Sequence, residues 1–169
     1  LCVMAVMLFF TATGARSGNM TLAVNALFMQ LYLLYSHFMD GFAYAGEALV
    51  GKYAGAADKR SLRRCVSHLF AWGWSLAAIF AFAYGVFNHE VMSLFSDKPE
   101  VVAFAAAYRW WIALAPIAGM AAFIWDGVFV GLTATRQMLL SLAGATAVYF
   151  TIYFLFPLAD ANDCLWTAF

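Results

Sequence analysis

Four polar side chains recur at helical spacing within one apolar stretch of the sequence. His37, Asp40, Tyr44 and Glu47 are separated by three, four and three residues. At 3.6 residues per turn this spacing places them along one face of a helix, with His37 close enough to pair with Asp40. Buried carboxylates and histidine can exchange protons near neutral pH. The stripe therefore predicts a proton path or a site for a cationic substrate, although Glu47 could instead pair with Lys52 or with water.

Two further polar residues lie in apolar stretches. Asp126 could line the same transport path, or be satisfied by a neighbouring helix end or by Arg136. Asn25 is another candidate for the path, and side-chain amides at such positions commonly form hydrogen bonds to a neighbouring helix.

Two pairs of glycines have the spacing that lets helix backbones approach closely. They are Gly51 with Gly55, and Gly127 with Gly131. Each pair follows an Asp-Gly dipeptide and precedes a basic loop. The parallel suggests related roles for the two segments, although it is too short to establish an internal repeat.

The elements that must position these residues are membrane helices. Of the 169 residues, 66% are hydrophobic and 11% charged, and the mean hydropathy is +0.82. Soluble domains average about 45–50% apolar and about 25% charged residues, and disordered chains are poor in apolar residues. The composition therefore predicts a polytopic membrane protein.

Five apolar runs indicate membrane spans. They cover about residues 1–13, 20–55, 66–87, 101–131 and 138–158, and a further span would begin at 164–169. A membrane strand needs only about 9–11 residues, so these longer runs predict an all-α transmembrane helical bundle. Pro116 is expected to kink the fourth span. The chain begins with Leu, and we expect it to be a piece of a longer protein.

The charged loops predict the orientation. Residues 59–64 hold four of the nine basic residues, Arg136 lies in a second basic loop, and the segment 88–100 is acidic. The positive-inside rule then places loops 56–65 and 132–137 in the cytoplasm. We expect the membrane to be the plasma (inner) membrane.

Several activities find no support in the sequence. It holds no GxxxxGK[ST] nucleotide loop, no HExxH motif and no Cys/His cluster. Its net charge is zero, which gives no basic footprint for nucleic acid. We expect no enzyme activity, no cofactor, no bound metal and no nucleic-acid partner.

Three segments resemble a known transporter family. The run from Asp40 to Ala56, DGFAYAGEALVGKYAGA, is similar to a segment of the multidrug and toxic compound extrusion (MATE) transporters, particularly their DinF-like branch. Residues 125–136, WDGVFVGLTATR, and 22–27, LAVNAL, resemble two further segments in the same order and spacing.

The resemblance implies twelve helices in two six-helix lobes, of which this chain would be a partial C-terminal lobe. It also implies an antiporter that exports drug-like or toxic organic compounds in exchange for protons or sodium ions, by alternating access. The expected partners are small organic substrates, the lipid bilayer and the N-terminal lobe of the same protein. The NorM-like sodium site is not transferred, because residues 1–13 hold no carboxylate and Asp126 lies at a different distance from Gly131.

Three alternatives stay open. A lipid-linked oligosaccharide flippase would need basic residues facing a cavity, whereas here they lie in loops or near span ends, with Arg109 the main exception. A membrane-embedded enzyme would need a polar site across helices, and only one stripe is evident. A non-catalytic membrane subunit would leave that stripe unexplained.

Overall fold

The computed structural model describes residues 2–16, 18–155 and 161–168, and every regular element in these ranges is helical. This confirms the predicted all-α helical bundle. The elements are α1 (Cys2–Arg16), α2 (Asn19–Gly55), α3 (Lys59–Val86), α4 (Asn88–Phe95), α5 (Pro99–Ala105), a 3₁₀ turn (Ala106–Tyr108), α6 (Arg109–Gly131), α7 (Thr135–Leu155) and α8 (Ala161–Ala168).

In the described ranges, four helical stretches are long and apolar enough to cross a membrane. They are Asn19–Gly55, Lys59–Val86, Pro99–Gly131 and Thr135–Leu155. Helix α1 is also apolar, but its 15 described residues are fewer than the roughly 20 that a membrane span needs. Residues 1, 156–158 and 169, which belong to predicted spans, lie outside the described residues.

The segment predicted as an acidic loop is largely helical. Helix α4 buries Asn88 and Met92, and α5 begins at Pro99. Proline suits the first helical position because its missing N–H would have no intrahelical partner there. A 3₁₀ turn connects α5 and α6, and α6 itself continues as a helix through Pro116.

The chain divides into two compact units. The terminal unit comprises residues 1–27 and 136–169, and the central unit comprises residues 28–135. In the terminal unit the ring of Phe9 contacts several aromatic rings of α7, among them Tyr153 at 4.9 Å between centroids. Phe10 packs edge-on against Trp166 of α8 at 5.2 Å.

The central unit is built on α2, α3 and α6. Its buried core comprises Tyr35, Met39, Val50, Leu69, Ala77, Met120, Ile124 and Val128. Gly73 lets α3 approach α6, because a Cβ there would lie 2.5 Å from Cδ1 of Ile124. Two buried tyrosines fix α2 in place. The hydroxyl of Tyr35 donates to the carbonyl of Pro116 at 2.9 Å, and that of Tyr84 donates to Leu31 at 2.8 Å.

Candidate functional site

Helices α2 and α6 touch backbone to backbone in the central unit. A Cβ on Gly127 would overlap the carbonyl oxygen of Ala43 and lie 2.8 Å from its carbonyl carbon. A Cβ on Gly131 would lie 2.7 Å from the carbonyl oxygen of Glu47. Only glycine fits at these two positions without moving the helices. The close approach predicted for Gly127 and Gly131 is therefore confirmed.

The other glycine pair behaves differently. A Cβ on Gly51 would lie 3.3 Å from the carbonyl oxygen of Gly131, whereas one on Gly55 would meet no described atom within 4 Å. The prediction of a close contact is therefore right for Gly51 and wrong for Gly55 among the described residues. Gly55 ends α2, beyond the crossing.

Three carboxylates flank this crossing. On α2, Asp40 lies three residues before Ala43, and Glu47 lies four residues after it. On α6, Asp126 directly precedes Gly127. The carboxylates of Asp40 and Glu47 both act electrostatically on Asp126. We call Asp40, Glu47 and Asp126 the carboxylate cluster.

The carboxylate cluster is not enclosed by this chain. Asp40 is half-buried, while Glu47 and Asp126 are exposed. Tyr44, on the same side of α2 as Asp40 and Glu47, is 70% exposed. A carboxylate in the middle of a membrane costs at least ~2.5 kcal/mol, and such residues usually face the bundle interior or a water-filled cavity. The face bearing the cluster is therefore suited to an aqueous cavity rather than to lipid.

No basic side chain neutralises the cluster within the described part of the chain, where its three members form no ion pair. Lys52, one alternative partner for Glu47, instead lies with Nζ 6.0 Å from the ring centroid of Tyr53. Nearby carboxylates without a basic partner repel one another, and binding of a proton or a cation relieves that repulsion.

The carboxylate cluster does not form a preassembled chelate. No group of three or more His, Cys, Asp or Glu side chains in the described ranges comes together closely enough to hold a metal ion. The three groups interact through space, which suits proton binding or attraction of an organic cation.

The structure does not pair His37 with Asp40, although their spacing would allow it. The imidazole Nδ1–H of His37 donates to the carbonyl oxygen of Leu33, on the preceding turn of α2. Side chains on a helix tilt towards its N-terminus, so His37 reaches back one turn while Asp40 lies on the next. His37 is exposed and keeps Nε2 for other partners.

Asn25 belongs to the terminal unit and connects helices there. It is 3% exposed, its Nδ2 donates to Oδ1 of Asn162 at 2.6 Å, and its Oδ1 accepts from Nε1 of Trp166 at 3.0 Å. The expected interhelical hydrogen bond is therefore confirmed. A Cβ on Gly14 would lie 3.1 Å from the same amide nitrogen, so α1 also packs closely against it.

Sequence reasoning missed the two tyrosines that fix α2 beside the site. Tyr35 and Tyr84 are buried. In the sequence they lie in apolar runs, where nothing distinguishes them from the other aromatic residues. The available signal is chemical, because a buried tyrosine hydroxyl usually finds a hydrogen-bond acceptor.

Comparison with known proteins decides the family. The family model described as MatE matches residues 1–156. The chain belongs to the MatE family. The match includes all three segments that resemble MATE transporters, and two of them carry the carboxylate cluster on α2 and α6. Together with its long apolar helices, membership makes this MatE chain a multi-pass membrane protein.

A relative supports the DinF-like assignment. The MatE chain is 30% identical over 158 residues to "DNA damage-inducible protein F" of Escherichia coli (strain K12). The match covers 94% of this chain and 34% of that protein. The chain thus spans about a third of the length of this curated relative.

Proposed function

We propose that the full-length protein containing this chain is a secondary active antiporter of the plasma (inner) membrane. It exports drug-like or toxic organic compounds in exchange for protons or sodium ions. The observation that carries this proposal is the carboxylate cluster, whose like charges lie together at the α2–α6 crossing without a basic partner among the described residues.

The proposed mechanism is alternating access. This chain supplies a partial C-terminal lobe, and the N-terminal lobe of the same protein supplies the opposite wall of the cavity. A coupling ion acts only through its different affinity for the two conformations. Protonation or cation binding at the carboxylate cluster removes repulsion between its members, and so changes which conformation is favoured. An organic cation competes for the same negative charge.

The proposed orientation places residues 56–65 and 132–137 in the cytoplasm. These segments were predicted as loops, but they include the first turns of α3 and α7, which begin at Lys59 and Thr135. Glu47 lies eight residues before the end of α2 and Asp126 five residues before the end of α6. At 1.5 Å per residue these carboxylates lie about 12 Å and about 8 Å from the ends of their helices. Glu47 and Asp126 therefore lie in the inner half of the membrane, within reach of cytoplasmic substrates, whereas Asp40 lies deeper, about 22 Å from the end of α2.

The flippase alternative gains no support from the placement of Arg109. This residue begins α6, is exposed, and has its guanidinium 5.1 Å from the ring centroid of Trp110. Such a stacked pair at a helix end is typical of the membrane interface.

The test is ethidium efflux from energised cells that express the full-length protein, with the proton and sodium gradients collapsed separately. We expect efflux to stop when one of the two gradients is removed, which also identifies the coupling ion. Efflux that survives loss of both gradients would contradict antiport. No efflux above the empty vector, with membrane insertion confirmed, would contradict export of organic cations.

A further inference from the structure

A groove separates α2 from α3 on a face that does not include the carboxylate cluster. It encloses about 440 Å³, within the range of about 300–1,000 Å³ that is common for small-molecule sites. Its walls are mainly apolar and aromatic. They include Phe42, Leu49 and Tyr53 of α2, and Cys65, Leu69 and Trp72 of α3.

A basic depression of about 550 Å³ adjoins the groove at the start of α3. Arg64 and His68 line both cavities, so the two adjoin at these side chains. The depression also receives Lys59, Arg60 and Arg63. In the part of the chain that the structure describes, none of these cationic side chains forms an ion pair with a carboxylate.

The basic depression suits the headgroup of a phospholipid and the apolar groove suits an acyl chain, and their spacing along α3 fits the depth of these two parts in a membrane. Lys59 and Arg64 are five residues apart on α3, which is about 7.5 Å along the helix. A lipid headgroup layer is about 5–7 Å thick on each side of the hydrocarbon. Trp72 lies about 12 Å beyond Arg64 on the same helix. It is 65% exposed, which leaves its ring available to an acyl chain.

We infer that these two adjoining cavities together form a binding site for an anionic phospholipid, in the leaflet at the α2–α3 turn. The phosphate lies among Lys59, Arg60, Arg63 and Arg64, and one acyl chain runs between the helices over Leu69 and Trp72. Charge complementarity selects the ligand, because the cations have no carboxylate partner among the described residues. Basic pockets between membrane helices on the cytoplasmic side bind anionic headgroups. By the proposed orientation, this leaflet is the cytoplasmic one.

The site is tested by native mass spectrometry of the purified full-length protein with phosphatidylglycerol or with phosphatidylcholine of the same acyl chains. We expect phosphatidylglycerol to bind in preference to phosphatidylcholine. Each basic residue near a membrane surface contributes about fivefold to attraction of anionic lipid. Arg64→Gln should therefore weaken phosphatidylglycerol binding by about fivefold. The matched control is Arg136→Gln, since Arg136 is also exposed but does not line the groove, and it should leave binding unchanged.

A second pair of variants tests the apolar part of the site. Trp72→Ala should weaken binding of both lipids, whereas Trp74→Ala should not, because Trp74 is 51% exposed but lies outside the groove. Thermal unfolding of each variant shows whether it is folded. If Trp72→Ala does not fold, Arg64→Gln still tests the site, because Arg64 is exposed and its substitution should not disturb folding.

Three outcomes would overturn the inference. Equal losses for Arg64→Gln and Arg136→Gln would indicate nonspecific attraction by net positive charge. Unchanged binding in Arg64→Gln would mean that the groove is covered by another part of the protein or is empty. Displacement of phosphatidylglycerol by excess inorganic phosphate would identify a site for free phosphate rather than lipid. The readout is lipid binding and does not depend on transport.

Discussion

Helices α2 and α6 end in the same hydrogen-bonding pattern, 76 residues apart. The amide of Asp58 donates to the carbonyl of Tyr53 at 3.0 Å, and that of Ala134 donates to Phe129 at 2.8 Å. In both ends the residue before this amide has a φ of 54°. These residues are Ala57 and Thr133. This pattern is a Schellman motif. The residue of positive φ in such a motif is usually glycine.

The two ends nevertheless differ in what they contact. Gly127 and Gly131 of α6 lie against the backbone of α2, and the equivalent Gly51 has a looser contact. The equivalent Gly55 meets no described atom within 4 Å. Both glycines of the α6 pair lie against the backbone of α2, whereas only the first glycine of the α2 pair reaches α6. The spacing gives a helix the capacity for close approach, and the position of the partner backbone decides whether it is used.

The largest effect is expected at Gly127. Gly127→Ala should lower the free energy of unfolding by about 3 kcal/mol, because the added methyl meets backbone atoms that cannot rotate away. Gly55→Ala should change it by no more than about 0.5 kcal/mol. Thermal unfolding of the full-length protein in detergent measures both variants.

Gly51→Ala provides an intermediate case, since its methyl would lie 3.3 Å from a carbonyl oxygen and requires a small adjustment. We expect a loss of about 1 kcal/mol. Equal stability of the Gly127 and Gly55 variants would contradict the asymmetry between the two helices.

The second prediction concerns the carboxylates, of which α2 contributes two and α6 one. Asp40→Asn and Asp126→Asn should each reduce ethidium efflux about tenfold at equal membrane amounts, a coupling energy of common size. If the carboxylates form one cluster, the double variant should lose less than the product of the two single losses. Asp97→Asn is the matched control, because this exposed carboxylate lies between α4 and α5. If the loss in the double variant equals the product of the two single losses, Asp40 and Asp126 act independently and do not form one cluster.

The main helices could be predicted because length and apolarity are sufficient for membrane spans. The run predicted over 20–55 corresponds to α2, and that predicted over 66–87 corresponds to most of α3. The short helix α4 was missed, because an acidic segment with Asp97 and Pro99 has the composition of a loop, whereas most of α5 lies within the span predicted over 101–131. Burial of Met92, which depends on tertiary packing, stabilises α4.

The candidate site could be predicted in its residue types but not in its assembly. Asp40 and Glu47 share a face because seven residues are close to two helical turns. Asp126 joins them through the contact of Gly127 with Ala43, a pairing that local spacing does not contain. The direction of the His37 side chain was also unpredictable from spacing, since a carbonyl one turn back competes with Asp40.

The third prediction concerns the two residues of positive φ. A β-branched side chain is strained in the left-handed region more than alanine is. Thr133→Gly should therefore stabilise the protein by about 0.5–1 kcal/mol, after the entropy that glycine adds to the unfolded chain. Ala57→Gly should stabilise it less. Thermal unfolding compares the two variants, and an equal or larger gain at Ala57 would contradict the greater strain expected at Thr133.

The smallest effect is expected at the turn after α2, where the two ends differ by one capping side chain. Asp58 accepts the backbone N–H of Ser61 at 3.0 Å, whereas the equivalent residue after α6 is Ala134. Hydrogen bonds from the side chain and backbone of Ser61 hold the pKa of the Asp58 carboxyl below its usual range. The folded-state pKa is lower than the unfolded one, so this contribution is present above about pH 4 and is lost as the pH falls through the folded-state value.

Asp58→Ala should therefore unfold at a lower temperature than the parent protein at about pH 6, and the difference should shrink towards about pH 3. Asp58→Asn supplies the control, because asparagine caps a helix as well as aspartate but does not titrate. The difference in unfolding temperature between Asp58→Asn and Asp58→Ala should be the same at both pH values. A constant difference between the parent protein and Asp58→Ala would show that the carboxylate charge makes no contribution to this cap.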